Sequence, residues 1–241
     1  MDEKELKTSP KQRFFIILIA VLMLGSMLAS YVAIIINGSQ SSTSSATGQI
    51  SDEKLAQYET EYTDKLVAFQ AATADDFSKF SKYLNAVGEY DKAAAEEGGV
   101  KTKDLLVGDG RELTEGDTDY LAYYVGWCSN GEVFDSSLDN ASNATAFTNA
   151  IDVSGGVIEG WNTGVVGMKL GGVRRITIPS DLAYSDQREI CDEYNQPLRF
   201  LIMPVESEES LKTMAAELQL AYIKWQYGVY YGIDYGAMIA Q

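Results

Sequence analysis

The chain has 241 residues, 46% of them hydrophobic and 11% aromatic, which suits a sizeable packed core and argues against wholesale disorder. Acidic residues outnumber basic ones 35 to 19, a formal charge of −16 that repels polyanions, so no nucleic-acid partner is expected. Histidine is absent, which removes Ser-His and Cys-His nucleophile systems and most zinc sites. Two cysteines alone, Cys128 and Cys191, are too few for a structural zinc or iron–sulfur site, and neither a metal nor another cofactor is expected.

Residues 1–13 form a short tail, expected in the cytoplasm, that carries Lys4, Lys7, Lys11 and Arg13. Residues 14–36, FFIILIAVLMLGSMLASYVAIII, then run 23 positions without a charge. That length crosses roughly 30 Å of hydrocarbon as a helix. A cleaved signal peptide normally has a shorter apolar stretch of ~7–15 residues, so the segment reads as a retained transmembrane anchor. No Lys or Arg follows until Lys54, and the positive-inside rule places the N-terminus in the cytoplasm and the body outside it. The expected location is a cell membrane, crossed once. Outside the cytoplasm thiols oxidise, so a Cys128–Cys191 disulfide and two separate thiols stand as open alternatives.

Residues 37–50, NGSQSSTSSATGQI, form a Ser/Thr/Gly-rich flexible linker. Residues 51–100 turn helical. Leu55, Tyr58, Tyr62, Leu66 and Phe69 recur at three- and four-residue steps, with Ser51 as N-cap and Asp52 and Glu53 in the first turn. A second helix is expected after Thr73, with Asp76 at the capping-box position, carrying Phe77, Phe80, Leu84 and Val87 inward and stopping at Gly88. Two amphipathic helices beside a membrane fit a stalk that could pair two copies of the chain. The alternative is a helical pair packed on the domain that follows.

Residues 101–206 change to short β-rich runs. Leu121–Val125, Ile151–Val153, Val173–Ile178 and Leu198–Met203 read as strands, and Asn130-Gly131 is a hairpin signal. Gly160–Leu170 has helical apolar spacing at Trp161, Val165 and Met168, with a stop at Gly171-Gly172. One short helix among antiparallel strands makes the class α+β. Residues 207–241 return to helix from Glu208, with Leu211, Ala215, Leu218, Tyr222 and Trp225 as its stripe. The Tyr/Gly-rich tail that follows, with Gly228, Gly232 and Gly236 four residues apart, is too short to span a membrane and reads as packing on another element.

Five blocks of the middle segment carry a family likeness. They are Tyr123-Tyr124-Val125-Gly126-Trp127, Asn130 to Ser137, Val157-Ile158-Glu159-Gly160-Trp161, Gly164 to Gly172, and Arg174 to Pro179 with Leu182-Ala183-Tyr184. With Asn195-Gln196-Pro197-Leu198-Arg199-Phe200 after them, they resemble the FKBP-type peptidyl-prolyl isomerase domain in order and spacing over roughly 100 residues. The resemblance implies an antiparallel β-sheet wrapped on one short helix, flanked here by the transmembrane and helical segments. It also implies isomerisation of X-Pro bonds in proline-containing polypeptide clients.

The pocket implied by the resemblance is Tyr124, Phe134, Asp135, Val157, Ile158, Trp161, Tyr184 and Phe200. Trp161 would be the floor under the proline ring and Tyr124, Phe134 and Phe200 the walls. The Ile158 N–H and the Tyr184 hydroxyl would donate to substrate carbonyls, and Asp135 would orient the twisted amide. Phe147 and Asn149 fall near a further wall position but out of register. A prolyl amide isomerises over a barrier of ~18–20 kcal/mol because resonance holds it planar. A dry aromatic cup withdraws the water that stabilises the charge-separated form, with no acid–base group or metal needed. The chain departs from the family pattern at Ser185, where glycine is frequent, and at Asp192-Glu193-Tyr194; Ile190 or Tyr194 would supply the apolar cap there. Two functions follow: an isomerase for exported or surface proteins, or a catalytically weak binding module that tethers a partner at the cell surface.

Overall fold

The computed structural model describes residues 50–240. The proposed transmembrane segment 14–36 and nearly all of the linker lie outside these residues. Among the described residues no helix is long and apolar enough to cross a membrane.

Helix α1, Asp52–Ala72, starts as its sequence directs: the Ser51 side chain accepts from the Lys54 N–H at 3.2 Å, and Asp52 and Glu53 face the positive end of the dipole. Helix α2, Ala74–Phe80, follows after a single residue and runs into a 3-10 turn at Ser81–Ala86. The capping box expected at Thr73 does not form. Thr73 still lies within the register of α1, so its N–H and its hydroxyl both donate back to the Phe69 carbonyl, at 3.0 and 2.9 Å. A short helix α3, Lys92–Glu96, is capped by Asp91.

Six antiparallel strands then build one sheet: β1 Lys101–Leu106, β2 Tyr120–Trp127, β3 Val133–Ser136, β4 Ile151–Asp152, β5 Val173–Ile178 and β6 Leu198–Glu206. The order is β1-β5-β6-β2-β3, with β4 paired to the other end of β2 beside β3. Strand β1, KTKDLL, escapes the sequence reading because it is a polar edge strand whose first four residues are exposed.

Every residue of β2 is buried, and the pleat deals them to two cores. Tyr120, Ala122 and Tyr124 join Phe200, Ile202 and Ile176 on one face. Leu121, Tyr123, Val125 and Trp127 join Leu201, Met203 and Val205 on the other. The first face receives helix α4, Glu159–Val165, and the second receives α1, α2 and helix α5, Glu209–Tyr231. Phe69 and Phe80 are wholly buried there, and Phe80 meets Phe147 edge-on at 5.4 Å. Residues 51–88 are therefore a layer of the domain rather than a free stalk, because the sheet face would otherwise leave Trp127, Tyr123 and Val125 against water.

Helix α1 also pairs with α5. Tyr62 stacks on Trp225 at 5.4 Å, Lys65 bridges Glu217 at 2.7 Å, and a Cβ at Gly228 would come within 2.7 Å of Leu55 Cδ1. Gly232, in the left-handed region at φ 65, ends α5. Helix α6, Tyr235–Ile239, follows, with the Asp234 side chain as its cap and as acceptor from the Tyr58 hydroxyl at 2.5 Å. The Tyr/Gly tail thus packs on α1. Phe69→Ala should lower the unfolding free energy by about 3–5 kcal/mol in a single urea transition. An unchanged midpoint would mean that the helical layer is not part of the cooperative unit.

Candidate functional site

The hairpin β2–β3 turns at Asn130-Gly131, with Gly131 at φ 83, and sets Phe134 and Asp135 beside Tyr124. Gly126 makes room between them: a Cβ there would lie 2.6 Å from Phe200 and 2.8 Å from Phe134. Helix α4 begins at Ile158 and presents Trp161 inward. It stops at Val165, a turn before the expected end at Leu170. Gly167 takes φ 77, and Arg174 of β5 captures the freed carbonyls, donating from Nη1 to Gly164 and Val166 at 2.9 Å each. Arg174 is itself buried and held by Asp104 of β1, at 2.5 and 3.1 Å. This clamp fixes the axis of α4 against the sheet, and with it the Trp161 ring.

The rings form a cup. Trp161 meets Tyr124 at 5.5 Å and Phe200 at 5.3 Å, both close to edge-on, and Phe134 meets Phe200 at 5.6 Å and 88°. The Trp161 indole N–H donates to the Tyr120 hydroxyl at 3.2 Å, which anchors the ring from below. Val157, Ile158 and Tyr184 are partly buried against the same cluster. All eight residues singled out from the sequence therefore converge. Phe147, set aside there, stacks on Tyr123 at 3.9 Å on the opposite sheet face and takes no part in the cup. Among the described residues no group of three acidic or thiol side chains is placed to hold a metal ion.

The Tyr124 hydroxyl donates to Asp135 Oδ2 at 2.8 Å. Burial in the aromatic wall pushes the Asp135 carboxyl up to about 6, against the bond from Tyr124. Burial likewise pushes Tyr184 up to about 12, and Tyr124 well above the ordinary phenol range, so both stay neutral hydrogen-bond donors. Arg188, the one basic residue between Leu182 and Pro197, lies 5.2 Å from the Tyr184 ring and draws the Asp135 and Tyr184 ionisations back down. The sequence reading passed over Arg188 and Tyr120; the lone cation in an acidic loop was the available signal for the first.

The loop after Tyr184 is covalently tied. Cys128, the residue after β2, forms a disulfide with Cys191. Ser185, Cys191, Asp192 and Asn195 all take positive φ, between 50° and 64°, and the Asn195 N–H closes the loop on the Ser185 carbonyl at 2.9 Å. Ser185 thus adopts the left-handed conformation that a glycine accepts without cost. Of the two candidate caps, Ile190 is buried in the cluster and Tyr194 is 53% exposed.

With the geometry set out, the pattern of the FKBP-type peptidyl-prolyl cis-trans isomerase family matches residues 110–203. An FK506-binding protein of Neisseria meningitidis serogroup B is 42% identical over 87 residues, 36% of this chain and 75% of that protein. FK506-binding protein 4 of Dictyostelium discoideum is 45% identical over 86 residues, 36% of this chain and 22% of that protein. The crystal structure of AtFKBP13, with 32% identity, covers 45% of this chain and 91% of that one at a TM-score of 0.34. The chain belongs to the FKBP-type peptidyl-prolyl cis-trans isomerase family. It is, accordingly, a peptidyl-prolyl isomerase built on an antiparallel α+β domain.

An exposed aspartate loses its proton near 3.8 and Asp135 near 6 in the folded protein, so the fold binds that proton more tightly. Stability contributed here falls as pH rises from about 4 to 6 and stays low above. Asp135→Asn removes the cost, and its stability relative to the parent should rise over that window by up to about 3 kcal/mol in urea titrations. A pH-independent difference would place the carboxyl in water. Cys128→Ser with Cys191→Ser opens a loop of 63 residues and should lower stability by about 2–4 kcal/mol in the same assay.

Proposed function

We propose that the cup of Tyr124, Phe134, Asp135, Val157, Ile158, Trp161, Tyr184 and Phe200 is the catalytic pocket of a single-pass membrane protein whose isomerase domain lies outside the cytoplasm. Its substrates are X-Pro bonds of exported or surface proteins. The observation that carries the reading is the convergence of four buried aromatic rings with a hydrogen-bonded carboxyl, Asp135, beside them. The charged tail and the apolar run 14–36 support the anchor and its orientation. The disulfide supports an oxidising compartment.

The prolyl ring sits on Trp161 between the walls of Tyr124, Phe134 and Phe200. Removing water from the amide destabilises its planar, charge-separated form relative to the twisted one, in which the nitrogen lone pair is no longer delocalised. The Ile158 N–H, at the open start of α4, has no hydrogen-bond partner among the described residues. It donates to a substrate carbonyl, as the neutral Tyr184 hydroxyl does to another. Asp135, oriented by Tyr124, faces the carbon–nitrogen bond as it turns. No covalent intermediate is required.

A soluble form beginning at Ile50 should accelerate cis-to-trans isomerisation of short X-Pro peptides. Trp161→Ala and Asp135→Ala should each cut kcat/KM by at least about tenfold, ~1.4 kcal/mol of transition-state stabilisation. Unchanged rates in folded variants would remove the cup as the reaction site. For the address, the full chain should stay with membranes through an alkaline carbonate wash, and protease added to intact cells should cut the body; release into the wash would overturn the anchor.

A further inference from the structure

A cleft separate from the aromatic cup opens elsewhere on the described body. It has a volume of about 360 Å³ and lies between the C-terminal end of β6, the start of α5 and the loop that ends at Gly110. Its floor is apolar, with Val205 buried and Leu211 and Met214 half-buried, and Met214 brings a flexible side chain that adapts to varied partners. Its rim is acidic. Asp76, Asp109, Glu206 and Glu208 all line it and no Lys or Arg does. Asp76 has Lys79 at 3.5 Å, but Asp109, Glu206 and Glu208 have no ion-pair partner among the described residues.

Two unmatched hydroxyls lie behind these walls without lining the cleft. Ser207 Oγ, between the two glutamates, and Tyr123 Oη, on the sheet face that carries Val205, have no hydrogen-bond partner among the described residues. The Tyr123 hydroxyl also feels the charge of Asp76, which helps burial hold it neutral. The apolar floor and the unpaired carboxylates of the rim together match one kind of ligand, a cationic chain with apolar groups between its charges.

The cleft and the cup share strand β6. Phe200 of the cup and Glu206 of the cleft are six residues apart, roughly 20 Å along the strand. The floor residues belong to the helix-covered face and Phe200 to the other, so a polypeptide joining the two must round the end of the sheet. An extended spacer of roughly ten residues suffices. We propose that this cleft grips a basic, partly apolar segment of the same polypeptide client whose prolyl bond occupies the cup. The inference rests on the cup as the site of isomerisation. Tethering at the cleft raises the local concentration of prolyl bonds at the cup, and it also favours oppositely charged clients of a strongly acidic protein.

The test uses the full chain in detergent and three probes. One is a short Ala-Leu-Pro-Phe peptide. The second carries in addition a ten-residue Gly/Ser spacer and a Lys-Leu-Lys-Leu-Lys tail, and the third is that spacer and tail without proline. The tailed substrate should show a KM lower by about tenfold at low salt, an advantage that shrinks as salt is added. Glu206→Lys with Glu208→Lys and Asp109→Lys should abolish the advantage and the binding of the proline-free probe, followed by fluorescence anisotropy. Turnover of the short peptide should be unchanged. The milder Glu206→Gln/Glu208→Gln pair should give an intermediate loss, which guards against misfolding of the charge-reversed protein. Equal KM values for short and tailed substrates, or a preference that survives charge reversal, would overturn the cleft. Absent turnover of the short peptide, with the proline-free probe still bound in a charge-dependent way, would instead overturn the reading of the cup and leave the cleft standing.

Discussion

The structure depends on one strand being buried on both sides. Strand β2 places tyrosines at Tyr120, Tyr123 and Tyr124 and a tryptophan at Trp127 within eight residues, all of them removed from water. Such a strand cannot lie on a two-layer sandwich with one wet face. It demands cover on both, and the rest of the chain supplies it: α4 and the pocket loops on one side, α1, α2 and α5 on the other. At roughly 25 cal/mol per Å² of apolar surface, leaving either face bare would forfeit several kcal/mol for each large aromatic. The flanking helices are thus as much a requirement of the isomerase sheet as an addition to it.

On the face that carries the cup, precision comes from groups that do not themselves line it. Arg174 fastens the end of α4 to the edge strand β1, Tyr120 holds the Trp161 indole, and Gly126 lets Phe134 and Phe200 close together. The floor and walls are therefore locked by an ion pair whose arginine is buried, a hydrogen bond and a missing methyl group. That is how the cup holds one shape through groups outside it.

The strand runs, the Asn130-Gly131 hairpin and the cup residues were legible because their signals are local or ordered. Short β-rich apolar runs mark β2, β5 and β6, and blocks in family order mark the pocket. Three features were not legible, each for a physical reason. Strand β1 is polar because only one edge of it is paired, so it carries no hydrophobic pattern. The end of α4 is set by Gly167 and by Arg174, a partner eight residues beyond Val166, while Met168 keeps the helical spacing without the helix. The choice between a stalk and a packed layer for residues 51–88 depends on a sheet face whose exposure no local window reveals. Stability and position of the cup follow from these long-range contacts; its membership does not.

The two ends of the described body meet. The Ile50 N–H donates to the Gly232 carbonyl at 2.8 Å, and Tyr58 grips Asp234 just beyond it. The chain order of this domain is thus nearly circular, its beginning and its end side by side on the α1–α5 pair. A connection from Gly232 back to Ile50 needs only a short bridge, and the exposed loop around Asn140 to Asn143 offers a place to open new termini without breaking a strand. The same closure sets Ile50, where the described chain begins, beside the end of α5. A module fused to either end would thus sit at a single pole of the domain.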